Sequence, residues 1–170
     1  NLKTIKLLGK ICVKILKKCK IGSVAKHIPG HGCSKFDTHQ KLPRVNDSLN
    51  RLIKNDFKAF NGIDPHFVMT AHIIYNKIDP LNTATHSKII IQNIVRKKIG
   101  FKGLIISDDI SMKALSNNLL LNADRAIQSG CNLALHCSGN IQESSFLLKK
   151  IKKIDHFTQK KTSEFYKFLR

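Results

Sequence analysis

The sequence predicts an α/β fold with a parallel sheet of about four βα units. Four short apolar runs are typical of buried strands: residues 23–25, 67–70, 104–106 and 131–135. Each run is followed by a stretch in which apolar residues recur at three- and four-residue spacing, which indicates a helix. Polar residues stand directly after every run. We therefore expect them to meet at the carboxyl edge of the sheet, where parallel α/β folds place their active sites.

Capping residues and glycines delimit the predicted helices. Asp47 is placed to cap the helix after the first loop, and Thr85 to cap the next helix, which ends at Gly100. Gly130 ends a third helix just before the last strand. Residues 2–16 carry apolar positions among lysines, which predicts a helix that packs on the following strand. A basic helix on a membrane surface is the alternative for this segment.

The loop after the first strand concentrates the side chains that can take part in chemistry. Residues 26–42 contain three histidines, and Pro29 with two glycines prevents a continuing helix. Asp37 and His39 are two residues apart, so in an extended stretch their side chains emerge on the same side. A carboxylate can then hold one imidazole nitrogen and leave the other free for proton transfer. This pair is the candidate acid/base.

Four motifs follow one another without a large gap, at residues 26–43, 68–75, 100–112 and 126–131. Together they resemble the second half of the bacterial β-N-acetylglucosaminidases of glycoside hydrolase family 3. The similarity runs from about residue 5 to about residue 150. It implies a (β/α)8 barrel enzyme that cleaves terminal β-linked N-acetylglucosamine with retention, through a covalent glycosyl intermediate.

The length of the chain predicts only part of such a barrel. A complete eight-stranded barrel takes roughly 200 to 250 residues, and the chain has 170. We therefore expect a partial (β/α)8 barrel of the TIM type, with the first half missing. The expected organisation is a single domain over residues 1–170, with the family-like core at about 5–150 and a basic helical tail at about 151–170.

The resemblance implies a role for each candidate site residue. Asp108 matches the nucleophile, and His39 with Asp37 matches the acid/base pair of this branch of the family. An imidazole suits that role because it titrates near neutral pH. The resemblance implies no cofactor and no catalytic metal. The predicted substrate-binding residues are Lys26, His27, His72 and Met112.

Two of the polar residues at the strand ends have a structural alternative. Asp109, next to Asp108, is predicted to cap a short helix that begins near Ser111. His72 either lines the sugar pocket or packs beneath it.

A zinc hydrolase is an alternative interpretation of the histidines at the carboxyl edge of the sheet. His27 and His31 have the spacing of two ligands on one helix face, but Pro29 and Gly30 interrupt any such helix. The metal-dependent alternative is therefore less favoured than a glycosidase.

The amino-acid composition limits the binding partners and the cellular compartment that we expect for the chain. The formal charge is +19, but the lysines are scattered and aromatic residues make up only 6% of the chain, so we expect no specific nucleic-acid binding. We also expect no membrane span, because no apolar run approaches about 18 residues. The five cysteines form no C-x-x-C pair, which suits reduced thiols in the cytoplasm.

The predicted function is a retaining glycoside hydrolase that acts on N-acetylglucosaminyl muropeptides during peptidoglycan recycling in the cytoplasm. Two alternatives remain open: a catalytically inactive remnant and a basic nucleic-acid-associated protein.

Overall fold

Within the described residues, the main sheet contains four parallel strands. The computed structural model describes residues 1–34, 42–115 and 118–170. The strands are β1 (Val24–Ile28), β2 (Arg44–Val45), β3 (Phe67–Thr70), β4 (Ile74–Tyr75), β5 (Leu104–Asp109) and β6 (Leu133–Leu135). β1, β3, β5 and β6 pair in that order, and β2 pairs with β4 in a second, two-stranded sheet. The four predicted strands and their parallel arrangement are confirmed.

Helical segments connect the strands of the main sheet. The α-helices are α1 (Leu2–Lys18), α2 (Leu49–Lys54), α3 (Leu119–Ser129), α4 (Ile141–Lys150) and α5 (His156–Leu169). A π-helix spans Ile90–Lys98, and two 3-10 helices span Phe57–Phe60 and Ala84–His86.

Both predicted amino-terminal caps are wrong, whereas both predicted glycine ends are confirmed. Gly100 follows the end of the π-helix with a φ of +79°. Ser48 caps α2, because its hydroxyl accepts a hydrogen bond from the Arg51 N–H at 3.3 Å. The Asp47 carboxylate instead pairs with Nε of Arg51 at 3.0 Å. Thr85 lies inside the second 3-10 helix, and its hydroxyl bonds to the end of β3. Gly130 ends α3 with a φ of +115°, a conformation that suits glycine.

The hydrophobic core lies between one face of the sheet and the helices that cover it. Ile28, Val68 and Ile105 point to this side and are at most 2% exposed. They pack with Ile91 of the π-helix and Ala126 of α3. Burial of one such aliphatic side chain contributes about 1.5–3 kcal/mol. This layer aligns the strands, so that their carboxyl ends form one edge.

The other face of the sheet, which forms the interior of a closed barrel, is open. Val24 is 45% exposed there, and Met69 and Ile106 are partly exposed. β1 and β6 are the edge strands, and within residues 1–34, 42–115 and 118–170 no strand pairs with their outer sides. These features are those of a partial (β/α)8 barrel.

The prediction that α1 packs on β1 is wrong, because the helix packs mainly on residues 57–64. Lys17 Nζ pairs with Asp64 Oδ2 at 2.6 Å on this contact face. A second apolar face of the helix remains exposed, with Ile5 at 56%, Leu8 at 56% and Ile15 at 55%. In the described part of the chain, no helix combines the length and the apolar character needed to cross a membrane.

α5 lies against the amino-terminal edge of the sheet. Its Phe165 ring contacts the Phe67 ring edge-on, with centroids 4.8 Å apart. Asn132, just before β6, donates to the Thr158 hydroxyl at 2.9 Å. The predicted basic tail is thus helical and packed on the sheet. The carboxyl edge at the opposite end carries the polar strand ends.

His86 should make the stability of the fold depend on pH. Its imidazole is 7% exposed and its Nε2 lies 3.1 Å from the Asn122 carbonyl oxygen. Burial lowers the pKa of His86 from 6.5 to about 4, and the nearby Arg125 acts in the same direction. Below pH 6.5 the unfolded chain takes up a proton that the folded chain does not bind, so stability falls until about pH 4.

The expected loss of unfolding free energy from His86 over this interval is about 3 kcal/mol. Urea unfolding at a series of pH values measures it. His86→Gln should reduce the slope between pH 6.5 and 4, and the same change at the exposed His156 is the matched control. An equal slope in the His86 variant and the parent chain would contradict the assignment.

Candidate active site

Two predicted site residues meet at the carboxyl edge of the sheet. His27 lies near the end of β1 and Asp108 near the end of β5, on either side of β3. His27 Nε2 is 3.7 Å from Asp108 Oδ2, and the two side chains are 28% and 14% exposed. Burial lowers the pKa of His27, the Asp108 carboxylate opposes this effect, and Lys26 lowers the pKa further. A neutral imidazole thus faces the carboxylate across the end of β3.

The Asp108 carboxylate has one held oxygen and one that faces outward. Its Oδ1 accepts the Asp109 N–H at 2.9 Å, while the Asp108 N–H donates to the Thr70 hydroxyl at 3.3 Å. The second oxygen, Oδ2, is the one that faces His27. A carboxylate held in this way presents a single oxygen to a reacting group.

The Asp109 carboxylate, in contrast to that of Asp108, is fully engaged in hydrogen bonds within the protein. Its Oδ1 accepts the Ser111 N–H at 3.0 Å and the Cys137 N–H at 3.1 Å, and the Ser111 hydroxyl donates to it as well. Burial alone would raise the pKa of Asp109, but the hydrogen bonds from Ser111 and Cys137 outweigh it and hold the pKa below its ordinary value. Asp109 thus caps the chain at Ser111 as predicted, but residues 110–114 form a turn and not the predicted short helix. Its contact with Cys137 also links the ends of β5 and β6.

His72 lies beneath the backbone of Asp109 and is fully buried. Its Nε2 is 2.9 Å from the Asp109 carbonyl oxygen, and its Nδ1 is 2.8 Å from the Thr85 hydroxyl. Burial lowers the pKa of His72, although the Asp109 carbonyl and the nearby carboxylates oppose it. A direct hydrogen bond to a sugar would require one of these two contacts to break. The sugar-binding role of His72 stays a prediction.

The other predicted binding residues surround the same edge. Lys26 is exposed on β1, in register with Met69. Met112 is half-buried in the turn after β5, and its N–H donates to the Asp109 carbonyl at 3.2 Å. The His31 ring lies 5.7 Å from the His27 ring, between centroids. The roles of Lys26 and Met112 toward a ligand stay predictions.

The predicted acid/base pair, Asp37 and His39, lies outside the described residues. The described segment before it is anchored beside the site, because Asp56 Oδ1 accepts the Gly32 N–H at 3.2 Å. The Tyr75 hydroxyl also donates to the Gly30 carbonyl oxygen. After the pair, β2 returns the chain to β4, close to His72. Both flanks therefore lead to the edge that carries Asp108.

Sequence reasoning missed the two hydroxyls that connect these groups. Thr70 and Thr85 are 1% and 0% exposed, and their Oγ1 atoms are 2.8 Å apart. The one sequence signal for these hydroxyls was Thr70, a threonine that ends an apolar strand. Across residues 1–34, 42–115 and 118–170, no three histidine, cysteine, aspartate or glutamate side chains are grouped closely enough to hold a metal ion.

Comparisons with known proteins agree with this architecture. The family model described as "Glycosyl hydrolase family 3 N terminal domain" matches residues 1–164. A beta-hexosaminidase from Psychromonas ingrahamii is 36% identical over 129 residues, which cover 72% of this chain and 38% of that protein. A beta-hexosaminidase from Nitrosomonas eutropha is 39% identical over 121 residues, which cover 68% of this chain and 34% of that protein.

A solved structure shares the fold. NagZ from Neisseria gonorrhoeae, in complex with N-trifluoroacetyl-D-glucosamine, gives a TM-score of 0.77 at 28% identity, over 93% of this chain and 45% of that one. The chain thus spans less than half the length of these similar proteins. The sequence match and the parallel sheet with its polar carboxyl edge lead to one conclusion: the chain belongs to glycosyl hydrolase family 3.

Proposed function

We propose that the chain supplies the nucleophile-bearing part of a retaining β-N-acetylhexosaminidase. The observation that carries the proposal is the Asp108 carboxylate, with Oδ1 held by the Asp109 N–H and Oδ2 facing His27. A nucleophile needs one fixed, accessible oxygen beside groups that hold the substrate. The two relatives named beta-hexosaminidase support this activity.

The proposed reaction has two steps. Asp108 Oδ2 attacks the anomeric carbon, and the bond from that carbon to the leaving oxygen breaks as His39, oriented by Asp37, protonates the oxygen. A water molecule then gives a proton to His39 and attacks the same anomeric carbon. The bond from that carbon to Asp108 Oδ2 breaks, which releases the sugar with retained configuration and restores the carboxylate. Lys26 and His27 would hold the sugar hydroxyls, with Met112 beside them.

The proposed substrates are N-acetylglucosaminyl muropeptides, and the proposed compartment is the cytoplasm. The five free cysteines are compatible with a reducing compartment. The charge of +19 comes from lysines distributed over the chain, so we assign it no specific nucleic-acid partner.

We propose further that a second segment with strands completes the barrel. Three observations support this proposal. The inner face of the sheet is open, β1 and β6 are edge strands, and the chain covers less than half the length of its relatives. The exposed apolar face of α1, with Ile5, Leu8 and Ile15, would pack against that segment. Because that segment would supply further residues of the sugar pocket, we expect little turnover from residues 1–170 alone.

An assay with a nitrophenyl N-acetylglucosaminide tests this function. The chain is mixed with the first half of a related barrel, which is prepared separately, and association is checked by size-exclusion chromatography. Hydrolysis should appear in the mixture and be absent from either part alone. The matching nitrophenyl glucoside, which lacks the acetamido group, is the substrate control. A stable complex without hydrolysis would favour the inactive remnant instead.

A further inference from the structure

We infer that Thr70, Thr85 and His72 form a buried hydrogen-bonded chain that positions the nucleophile through its backbone. We call these three residues the threonine–histidine chain. The inference rests on the proposed function for its catalytic meaning, but the geometry itself is independent of any activity. The three residues act through Asp108 and are positioning residues.

The threonine–histidine chain joins the two ends of the Asp108–Asp109 backbone. The Asp108 N–H donates to Thr70 Oγ1 at 3.3 Å, and Thr70 Oγ1 is 2.8 Å from Thr85 Oγ1. Thr85 Oγ1 is 2.8 Å from His72 Nδ1, and His72 Nε2 is 2.9 Å from the Asp109 carbonyl oxygen. The contacts close a ring around the nucleophile, and all three side chains are at most 1% exposed.

Only one arrangement of protons satisfies this ring with a neutral imidazole. The Asp109 carbonyl oxygen can only accept, so His72 Nε2 carries the proton. Because burial lowers the pKa of His72, Nδ1 is left as an acceptor and must receive the Thr85 proton. The alternative acceptor for Thr85, the Ala71 carbonyl oxygen, is farther away at 3.2 Å.

The remaining hydrogen bond follows from this order. Since Thr85 donates to His72, its oxygen accepts the Thr70 proton, and the oxygen of Thr70 accepts the Asp108 N–H. Every donor in the ring then has one acceptor. Such a network fixes the backbone at both sides of Asp108 and leaves the outward oxygen of its carboxylate untouched. A displacement of a reacting group by about 1 Å can cost on the order of 100-fold in rate, which is why this anchoring matters.

Thr85→Val tests the inference with little change of shape. The variant keeps the branched side chain but removes the hydroxyl, so His72 Nδ1 loses its donor. The matched control is Thr83→Val, because Thr83 is also buried and its Oγ1 has no hydrogen-bond partner among the described residues. Both variants are made in residues 1–170, and neither readout requires turnover.

The first readout is the 15N chemical shift of the His72 ring nitrogens. The parent chain should show protonated Nε2 and an unprotonated, hydrogen-bonded Nδ1. Thr85→Val should move the Nδ1 shift toward that of a free nitrogen and should speed hydrogen exchange at the Asp108 amide at least tenfold. Thr83→Val should do neither, and Thr85→Ser, which restores the hydroxyl, should recover the parent values.

Two results would overturn the inference. One is the finding that His72 of the parent chain carries its proton on Nδ1. This measurement needs no variant. The other is an unchanged Nδ1 shift and amide exchange in folded Thr85→Val. If that variant does not fold, Thr70→Val gives the same test at the Asp108 amide. In an assembled enzyme, Thr85→Val should lower kcat roughly 10- to 100-fold with little change in KM. Absence of turnover from the assembled parent enzyme, with the spectroscopic result intact, would count against the proposed function and not against the ring. An active parent enzyme with an unchanged kcat in Thr85→Val would count against the positioning role.

Discussion

Asp108→Asn should remove nearly all turnover from the assembled enzyme, by roughly three orders of magnitude or more. The amide keeps the size of the side chain but cannot form the glycosyl ester. Binding of N-acetylglucosamine should persist, because the sugar hydroxyls are assigned to other residues. Steady-state hydrolysis of the nitrophenyl substrate measures the first effect, and calorimetric titration with the free sugar measures the second.

Asp109→Asn is the matched control for this change. The amide oxygen at position 109 can still accept the Ser111 N–H and the Cys137 N–H, so the turn should survive and activity should fall only slightly. A 2-fluoro sugar that traps the covalent intermediate should label Asp108. A label on any other residue would remove Asp108 from the nucleophile role.

Arg96→Leu should destabilise the fold strongly, with a loss of about 3–5 kcal/mol of unfolding free energy. The Arg96 Nη1 atom donates to the carbonyl oxygens of Phe101 and Gly103 at 3.0 and 2.7 Å, and Nη2 donates to Asn132 Oδ1 at 3.0 Å. The guanidinium also lies 5.5 Å from the centre of the Phe157 ring. Its removal leaves partly buried acceptors unpaired where the π-helix, β5, β6 and α5 meet.

Urea unfolding followed by circular dichroism measures this loss. A typical domain is stable by only about 5–15 kcal/mol, so the Arg96 variant should unfold at a much lower urea concentration. Arg51→Leu serves as the control, because the Arg51 side chain is 70% exposed and its pair with Asp47 contributes less than about 1 kcal/mol. Equal losses in the two variants would show that Arg96 does not hold these elements together.

The strands of the main sheet were predictable because burial gives them a simple pattern. Val68 and Ile105 belong to short apolar runs that end in polar groups, and this pattern survives in a single sequence. The position of Asp108 after such a run placed it at the carboxyl edge of the sheet. Gly130 was predictable for a local reason as well, since its positive φ is a property of the residue.

The predicted caps failed because a local signal cannot rank competing partners. Asp47 and Ser48 are both good capping residues, and the backbone at position 48 decides which one accepts the Arg51 N–H. Thr85 also has the chemistry of a cap. Its hydroxyl nevertheless bonds to Thr70 and His72, which lie 15 and 13 residues earlier in the chain.

The sequence by itself determined the parallel α/β architecture, the family, and the edge of the sheet at which the chemistry collects. Sequence patterns suffice for these three conclusions. Apolar runs and glycines act on the backbone within a few residues, and the motifs are recognised from their residues and their order along the chain. Only the tertiary structure decided that Asp108 presents one oxygen to His27, that Asp109 also accepts the Cys137 N–H just after β6, and that buried hydroxyls link Asp108 to His72. The physical reason is that each contact joins residues from different strands or loops, whose distance and direction are set by the packing of the core.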